Sequence, residues 1–170
     1  ATKYQFNASA SAGGSVSGAA NGWYDTSSSV TVTAAPNPNF LFVGWIGDVG
    51  GEDTNNPVIS LVMDQARTIQ ANFELVQLSF TIAAAQGTPS PAAGGYSYAY
   101  GTTLTNWLYG VPVVDGGTQY VFTTWDLVGN LDLSANASGT DTNVVLLLTN
   151  TATLTWNFDT DYQFIAAAVG

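Results

Sequence analysis

Cysteine and histidine are both absent from this chain of 170 residues. Their absence excludes disulfides, thiolate chemistry and zinc sites built from the usual ligands. It also removes every histidine-based general base, so an ordinary hydrolase triad cannot be assembled. The carboxylates are the remaining source of acid–base or metal chemistry.

Charge is scarce, and basic charge is almost missing. Charged residues make up 8% of the chain, and 2 basic residues against 12 acidic ones give a net charge of −10. Nucleic-acid binding depends on Lys and Arg contacts that release counterions from phosphates, so we expect no nucleic-acid partner. The same deficit argues against a basic membrane-surface face. No apolar run reaches the length of about 18 residues that is needed to span a bilayer, so we expect no membrane insertion.

Apolar residues are plentiful: 46% of the chain is hydrophobic and 12% is aromatic. This content is enough for one or two packed cores, and intrinsic disorder is not expected. No charged and hydrophobic leader precedes Ala1, so the chain is interpreted as a mature or excised fragment.

Short blocks of sequence recur in the same order along the chain. They are Tyr4–Phe6, Leu78–Phe80 and Tyr162–Phe164; Phe40–Trp45 and Tyr120–Trp125; and Arg67–Phe73 and Ala152–Phe158. Such repeats indicate a duplicated structural unit. They predict a first module in residues 1–75, a second in residues 76–160, and the first strand of a following module, or an assembly strand, in residues 161–170.

Apolar and polar residues alternate with the period of β-strands. Ile69, Ala71 and Phe73 alternate with polar neighbours, and Leu154 and Trp156 do the same in the second module. No helical period lasts long enough to predict a long helix. The fold class is therefore all-β, with two tandem small β-rich modules, β-grasp-like or sandwich-like. The joint between them is too short for a flexible tether, so we expect a rod.

The first module carries a recognisable set of motifs. They are Gly13–Val16, Val30–Pro36, Phe42–Asp48, Met63 and Ala71–Phe73. This set resembles the divergent internalin-type B-repeat family of bacterial tandem surface repeats. The second module resembles a sister class of the same repeats through Gly87–Pro91, Tyr98–Thr102, Gly116–Tyr120 and Thr155–Phe158. The resemblance implies a β-grasp-like spacer or adhesive unit of large secreted chains, located outside the cell or on its surface, without a general catalytic residue.

Two kinds of aromatic residue are predicted. Trp45 and Trp125 follow aromatic strand residues, so we expect each indole to close one end of a module core while its N–H reaches a carbonyl at the edge. Four others are candidates for exposure: Trp23 and Tyr24, which lie beside the turn at Asn21 and Gly22, and Trp107 and Tyr109. Exposed rings can stack on the C–H faces of sugars. They can also pack between neighbouring modules, and this interpretation is favoured over sugar stacking, since interfaces are rich in Trp and Tyr.

The acidic loop is the one candidate metal site. Asp48, Glu52 and Asp53 lie within six residues, among glycines and asparagines, and oxygen ligands suit Ca²⁺. Acidic loops are also common on solvated turns, and the spacing is not that of an EF-hand. We therefore expect no metal and no cofactor.

A carboxylate pair is sufficient for glycoside hydrolysis, but the reaction also needs a cleft that a short spacer module does not provide. No catalytic residue is assigned, and we expect no enzymatic activity.

The last segment is a candidate assembly strand, with Tyr162, Phe164 and Ala166 on one face. An unpaired apolar strand is a template for pairing with another chain, so head-to-tail self-association, or pairing with neighbouring repeats of the same protein, is predicted. The alternative is a chain boundary drawn a few residues too late, which predicts a monomer.

The sequence thus favours a non-catalytic structural repeat of an extracellular surface or filament protein. The alternative is a carbohydrate-binding or adhesive module that uses the exposed Trp and Tyr.

Overall fold

The computed structural model describes residues 1–130 and 138–162. Sixteen β-strands and no helix occur in these ranges, which confirms the all-β prediction. By its internal contacts the chain divides into two compact units, Ala1–Val76 and Gln77–Gly170.

The first unit contains seven strands in two sheets. They are β1 (Lys3–Ala10), β2 (Gly14–Gly18), β3 (Gly22–Asp25), β4 (Ser29–Pro36), β5 (Phe40–Gly47), β6 (Val58–Val62) and β7 (Arg67–Leu75). One sheet has the order β3-β1-β7-β5, and in it only the β1–β7 pair is parallel. The other sheet has the order β2-β4-β6 and is antiparallel.

A single core lies between these two sheets. Along β7, Ile69, Ala71 and Phe73 are buried while Thr68 and Glu74 are exposed, so the period of two seen in the sequence places one face inward. Both sheets contribute to the core, which contains Phe6, Val30, Val32, Ala34, Trp45, Ile59, Leu61, Met63, Ile69, Ala71 and Phe73. The sequence predicts either a β-grasp-like or a sandwich-like module. Two sheets packed over one core correspond to the sandwich-like arrangement.

The second unit contains nine strands. They are β8 (Gln77–Ala84), β9 (Thr88–Ser90), β10 (Gly94–Ala99), β11 (Thr102–Tyr109), β12 (Val113–Asp115), β13 (Thr118–Val128), β14 (Ser138–Gly139), β15 (Asn143–Leu148) and β16 (Ala152–Tyr162). The larger sheet has the order β10-β8-β16-β13-β12, with β14 also paired to β13, and the smaller has the order β15-β11-β9. Buried residues of both sheets form one core.

The two units share one topology. The order β10-β8-β16-β13 repeats β3-β1-β7-β5, and β9-β11-β15 repeats β2-β4-β6. The β8–β16 pair is parallel, as β1–β7 is. Even the irregularities match, because a β-bulge follows Phe42 in β5 and Phe122 in β13. The additions in the second unit are β12 and β14. The repeated blocks of sequence therefore correspond to repeated strands.

The last described strand extends further than its counterpart. The end of β16 pairs with β13, with Asp161 opposite Gln119 and Tyr162 opposite Thr118. The predicted boundary between residues 160 and 161 thus falls inside a strand of the second unit. The other two residues of the predicted assembly strand, Phe164 and Ala166, lie outside the described residues.

Candidate functional sites

Trp107 and Tyr109 lie side by side on the outside of the second unit. They belong to β11, the central strand of the three-stranded sheet. Alternation along this strand directs Asn106 and Leu108 into the core and leaves Trp107 40% and Tyr109 53% exposed. Their ring centroids are 6.2 Å apart and their planes differ by 15°. The structure therefore presents two nearly parallel aromatic rings to solvent.

We call the solvent side of this sheet the aromatic face. Trp107 is paired with Asn143 of β15 on one side and with Ser90 of β9 on the other, while Tyr109 is paired with Thr88. None of the residues of β9, β11 or β15 is charged. The exposed members of the aromatic face are Thr88, Ser90, Thr103, Thr105, Trp107, Tyr109, Asn143, Val145 and Leu147.

The other predicted aromatic pair is divided between two environments. Trp23 of β3 is 65% exposed and lies opposite Gln5. Tyr24 is half-buried, and its ring meets that of Phe6 edge-on at 6.1 Å. The Tyr24 hydroxyl donates a hydrogen bond to the carbonyl of Ala20 at 2.6 Å. Tyr24 therefore packs at the margin of the core and does not share a face with Trp23.

In the acidic loop, Asp48 is held by other side chains of the protein. Its Oδ1 accepts a hydrogen bond from Nη1 of Arg67 at 2.8 Å, and its Oδ2 accepts one from Nε2 of Gln65. Asp53 accepts a hydrogen bond from the backbone N–H of Asn55 at 3.0 Å, and Glu52 is exposed. Within residues 1–130 and 138–162, no group of three or more acidic residues is arranged to hold a metal ion.

Arg67 is the important residue of this region that the sequence interpretation missed. Its side chain is 6% exposed. Its Nη2 pairs with Asp64 at 2.6 Å, and its Nε donates to the carbonyl of Val62 at 2.9 Å. The signal was present in the sequence, because Arg67 is in phase with the inward residues Ile69 and Ala71. The arginine thus ties the loop after β5 to the turn before β7.

The two core tryptophans differ in their hydrogen bonds. Both are buried as predicted, Trp45 at 2% and Trp125 at 8% exposure. Nε1 of Trp45 donates to the carbonyl of Asn56 at 2.9 Å, but Nε1 of Trp125 has no partner among the described residues. The carbonyl expected for Trp125 is therefore not found among the described residues. Gly139 of β14 lies so close to this indole that a Cβ there would come within 2.7 Å of the ring.

A small open groove lies at the end of the larger sheet of the second unit. Its volume is about 380 Å³, and it is lined by Val114, Gly117, Thr118, Gln119, Asp161 and Tyr162. Tyr162 is 81% exposed. Within the described ranges, no helix has the length and apolar character needed to cross a membrane.

The comparison with protein families assigns the first unit. Residues 4–77 match the family described as the divergent InlB B-repeat domain, and this match covers β1 from its second residue and all of β2 to β7. No curated protein and no solved structure shows significant similarity to the chain. B-repeat domains typically belong to bacterial surface proteins, and the family is a repeat domain rather than a known enzyme family. The family whose model matches residues 4–77, the divergent InlB B-repeat domain, is the one that the motifs of the first module predicted.

Proposed function

We propose that this chain is a non-catalytic structural repeat of an extracellular bacterial surface protein, acting as a semi-rigid spacer. The observation that carries the proposal is the duplication of one strand topology, each copy with its own core. The first copy matches the model of a repeat family that is typical of bacterial surface proteins. Repetition of a self-contained unit extends a chain without requiring a ligand site.

The short connection between the two units favours restricted motion of one unit relative to the other. Val76 is the single residue between the end of β7 and the start of β8. Flexible linkers are long and rich in Gly and Ser, whereas one valine between two strands has little freedom. A chain of such units would keep its length better than one with flexible tethers.

The carboxylates support a non-catalytic role. Asp48 is paired with Arg67, Asp25 with Lys3 at 2.8 Å, and Asp126 accepts a hydrogen bond from Asn157 at 2.7 Å. General acid–base catalysis needs titratable groups that converge on a substrate cleft. Among the described residues, Asp25, Asp48 and Asp126 instead bind cationic or amide side chains of the same chain.

The spacer role is tested by the distance between the two units in solution. Because the chain has no cysteine, Gln5→Cys and Thr105→Cys, both at exposed strand positions, give two unique sites for spin labels. We expect a narrow distance distribution. The matched control carries a six-residue Gly/Ser insertion after Val76 and should give a broad one. Equally broad distributions in both proteins would refute the semi-rigid spacer.

A further inference from the structure

The two units can be compared position by position along the three-stranded sheets. The backbone N–H of Ala34 bonds to the carbonyl of Pro57 at 2.8 Å, and that of Leu108 bonds to the carbonyl of Thr142 at 2.9 Å. Ala34 and Leu108 therefore occupy the same place in β4 and β11. By this register, Trp107 stands where the first unit has Thr33.

The same register places Tyr109 where the first unit has Ala35. The corresponding face of the first unit is rich in hydroxyl groups, and Thr31 and Ser60 are hydrogen-bonded to each other across it at 2.7 Å. One topology thus forms with small residues at both positions. The topology itself does not demand aromatic rings at these two positions, so their exposure calls for another explanation.

The polar groups of the two rings are also available. Neither the indole N–H of Trp107 nor the hydroxyl of Tyr109 has a hydrogen-bond partner among the described residues. Beside Trp107, the exposed Asn143 and Ser90 add an amide and a hydroxyl on either side. The aromatic face therefore combines flat apolar surface with neutral donors and acceptors.

Charge restricts what this face can bind. The strands that form it carry no charge, and Asp141 lies two residues before β15. The two basic residues of the chain, Lys3 and Arg67, are in the first unit and both are ion-paired. An anionic ligand would therefore meet no counter-charge here. The charged residues at the rim of a typical protein partner would likewise find no opposite charge to pair with.

We propose that the aromatic face binds a neutral glycan. The rings of Trp107 and Tyr109 pack against the apolar C–H faces of one or two sugar residues, since aromatic side chains bind such surfaces while their N–H or O–H remains free to hydrogen-bond. The sugar hydroxyls bond to Asn143, Ser90 and Thr88. This activity goes beyond the spacer role and does not depend on it.

The test uses the full chain on an array of neutral oligosaccharides of glucose, mannose, galactose and N-acetylglucosamine. Heparin and polygalacturonate provide the anionic arms. The variants Trp107→Thr and Tyr109→Ala introduce the residues found at the matching positions of the first unit, so we expect the fold to stay intact. Thermal melting of each variant checks this. Trp23→Thr is the matched control, because Trp23 is an exposed strand tryptophan outside the aromatic face.

We expect at least one neutral glycan to bind, with affinity reduced about tenfold by each variant of the aromatic face and unchanged by Trp23→Thr. The proposal is overturned if no neutral glycan binds, if only the anionic polymers bind, or if the Trp107 and Tyr109 variants bind as well as the parent. It is also overturned if sedimentation shows a dimer that Trp107→Thr dissociates, because a second copy would then cover the face.

Discussion

The indole N–H of Trp45 donates a hydrogen bond to the backbone carbonyl of Asn56 across a distance of 2.9 Å. The backbone N–H of Trp45 also bonds to the carbonyl of Thr54 at 2.8 Å. One residue of β5 therefore holds the long loop that leads to β6, while its ring packs edge-on against Phe42 in the core. The core and the loop are stabilised together.

Replacing Trp45 by alanine should lower the free energy of unfolding of the first unit by about 3–5 kcal/mol, because a buried aromatic side chain is lost. Urea denaturation followed by circular dichroism measures this change. Trp23→Ala is the control and should change stability by less than about 0.5 kcal/mol, since Trp23 is mostly exposed. A cost below about 1 kcal/mol for Trp45→Ala would contradict the core assignment.

Replacing Arg67 by alanine should destabilise the first unit by about 2–4 kcal/mol, because the buried guanidinium bonds to Asp48, Asp64 and a backbone carbonyl at once. Asp64→Asn should cost less than about 1 kcal/mol, since that side chain is 66% exposed. Both values come from chemical denaturation. If the two variants prove equally mild, Arg67 does not organise the acidic loop.

The strands were predictable because alternation depends on chain geometry alone. The alternation places Ile69, Ala71 and Phe73 of β7 in the core, and in the matching strand β16 it does the same for Ala152, Leu154 and Trp156. Alternation decides which side of a sheet a residue occupies, but not its partners. It therefore could not predict that Asp48 pairs with Arg67 or that Tyr24 packs on Phe6.

For the candidate sites, the exposure of individual residues could be predicted from the sequence, but their neighbours in space could not. Exposure of Trp107 and Tyr109 follows from their phase along β11, which is opposite to that of Leu104 and Leu108. Their near-parallel rings and the uncharged surroundings depend on β9 and β15, which are distant in sequence. Such neighbours are set by tertiary structure, and no local pattern specifies them.

Replacing Asn106 by valine should stabilise the second unit by about 1–2 kcal/mol. Asn106 is 1% exposed and its Nδ2 has no hydrogen-bond partner among the described residues, and a buried unpaired amide is costly. Valine is the residue at the matching position of the first unit, Val32. Differential scanning calorimetry should show a raised transition for the second unit, and a lowered one would mean that the amide is satisfied.

Replacing Gly47 by alanine should destabilise the first unit by about 2 kcal/mol or more. Gly47 has a φ of +100°, and a Cβ there would lie 2.3 Å from the carbonyl oxygen of Thr68. Gly22→Ala is the matched control, because a Cβ at Gly22 meets nothing within 4 Å. Thermal unfolding of the two variants compares them directly, and equal midpoints would contradict the strain at Gly47.

Head-to-tail assembly through the last segment stays a prediction. Deleting residues 163–170 leaves β16 complete to Tyr162 and removes Phe164 and Ala166. If the segment adds as a strand to a neighbouring subunit, light scattering should show assemblies for the intact chain and monomers for the shortened one. Assembly of both proteins, or of neither, would rule the strand exchange out.

The parallel pairing of the first and last strands has a mechanical consequence for each unit. Because β1 and β7 run in the same direction, the start of β1 and the end of β7 lie at opposite ends of their shared ladder. Tension applied through the chain therefore pulls the two strands past each other lengthwise and loads all their hydrogen bonds in shear, rather than opening them one after another. The β8–β16 pair repeats this geometry. A repeat built in this way resists being unravelled by drag.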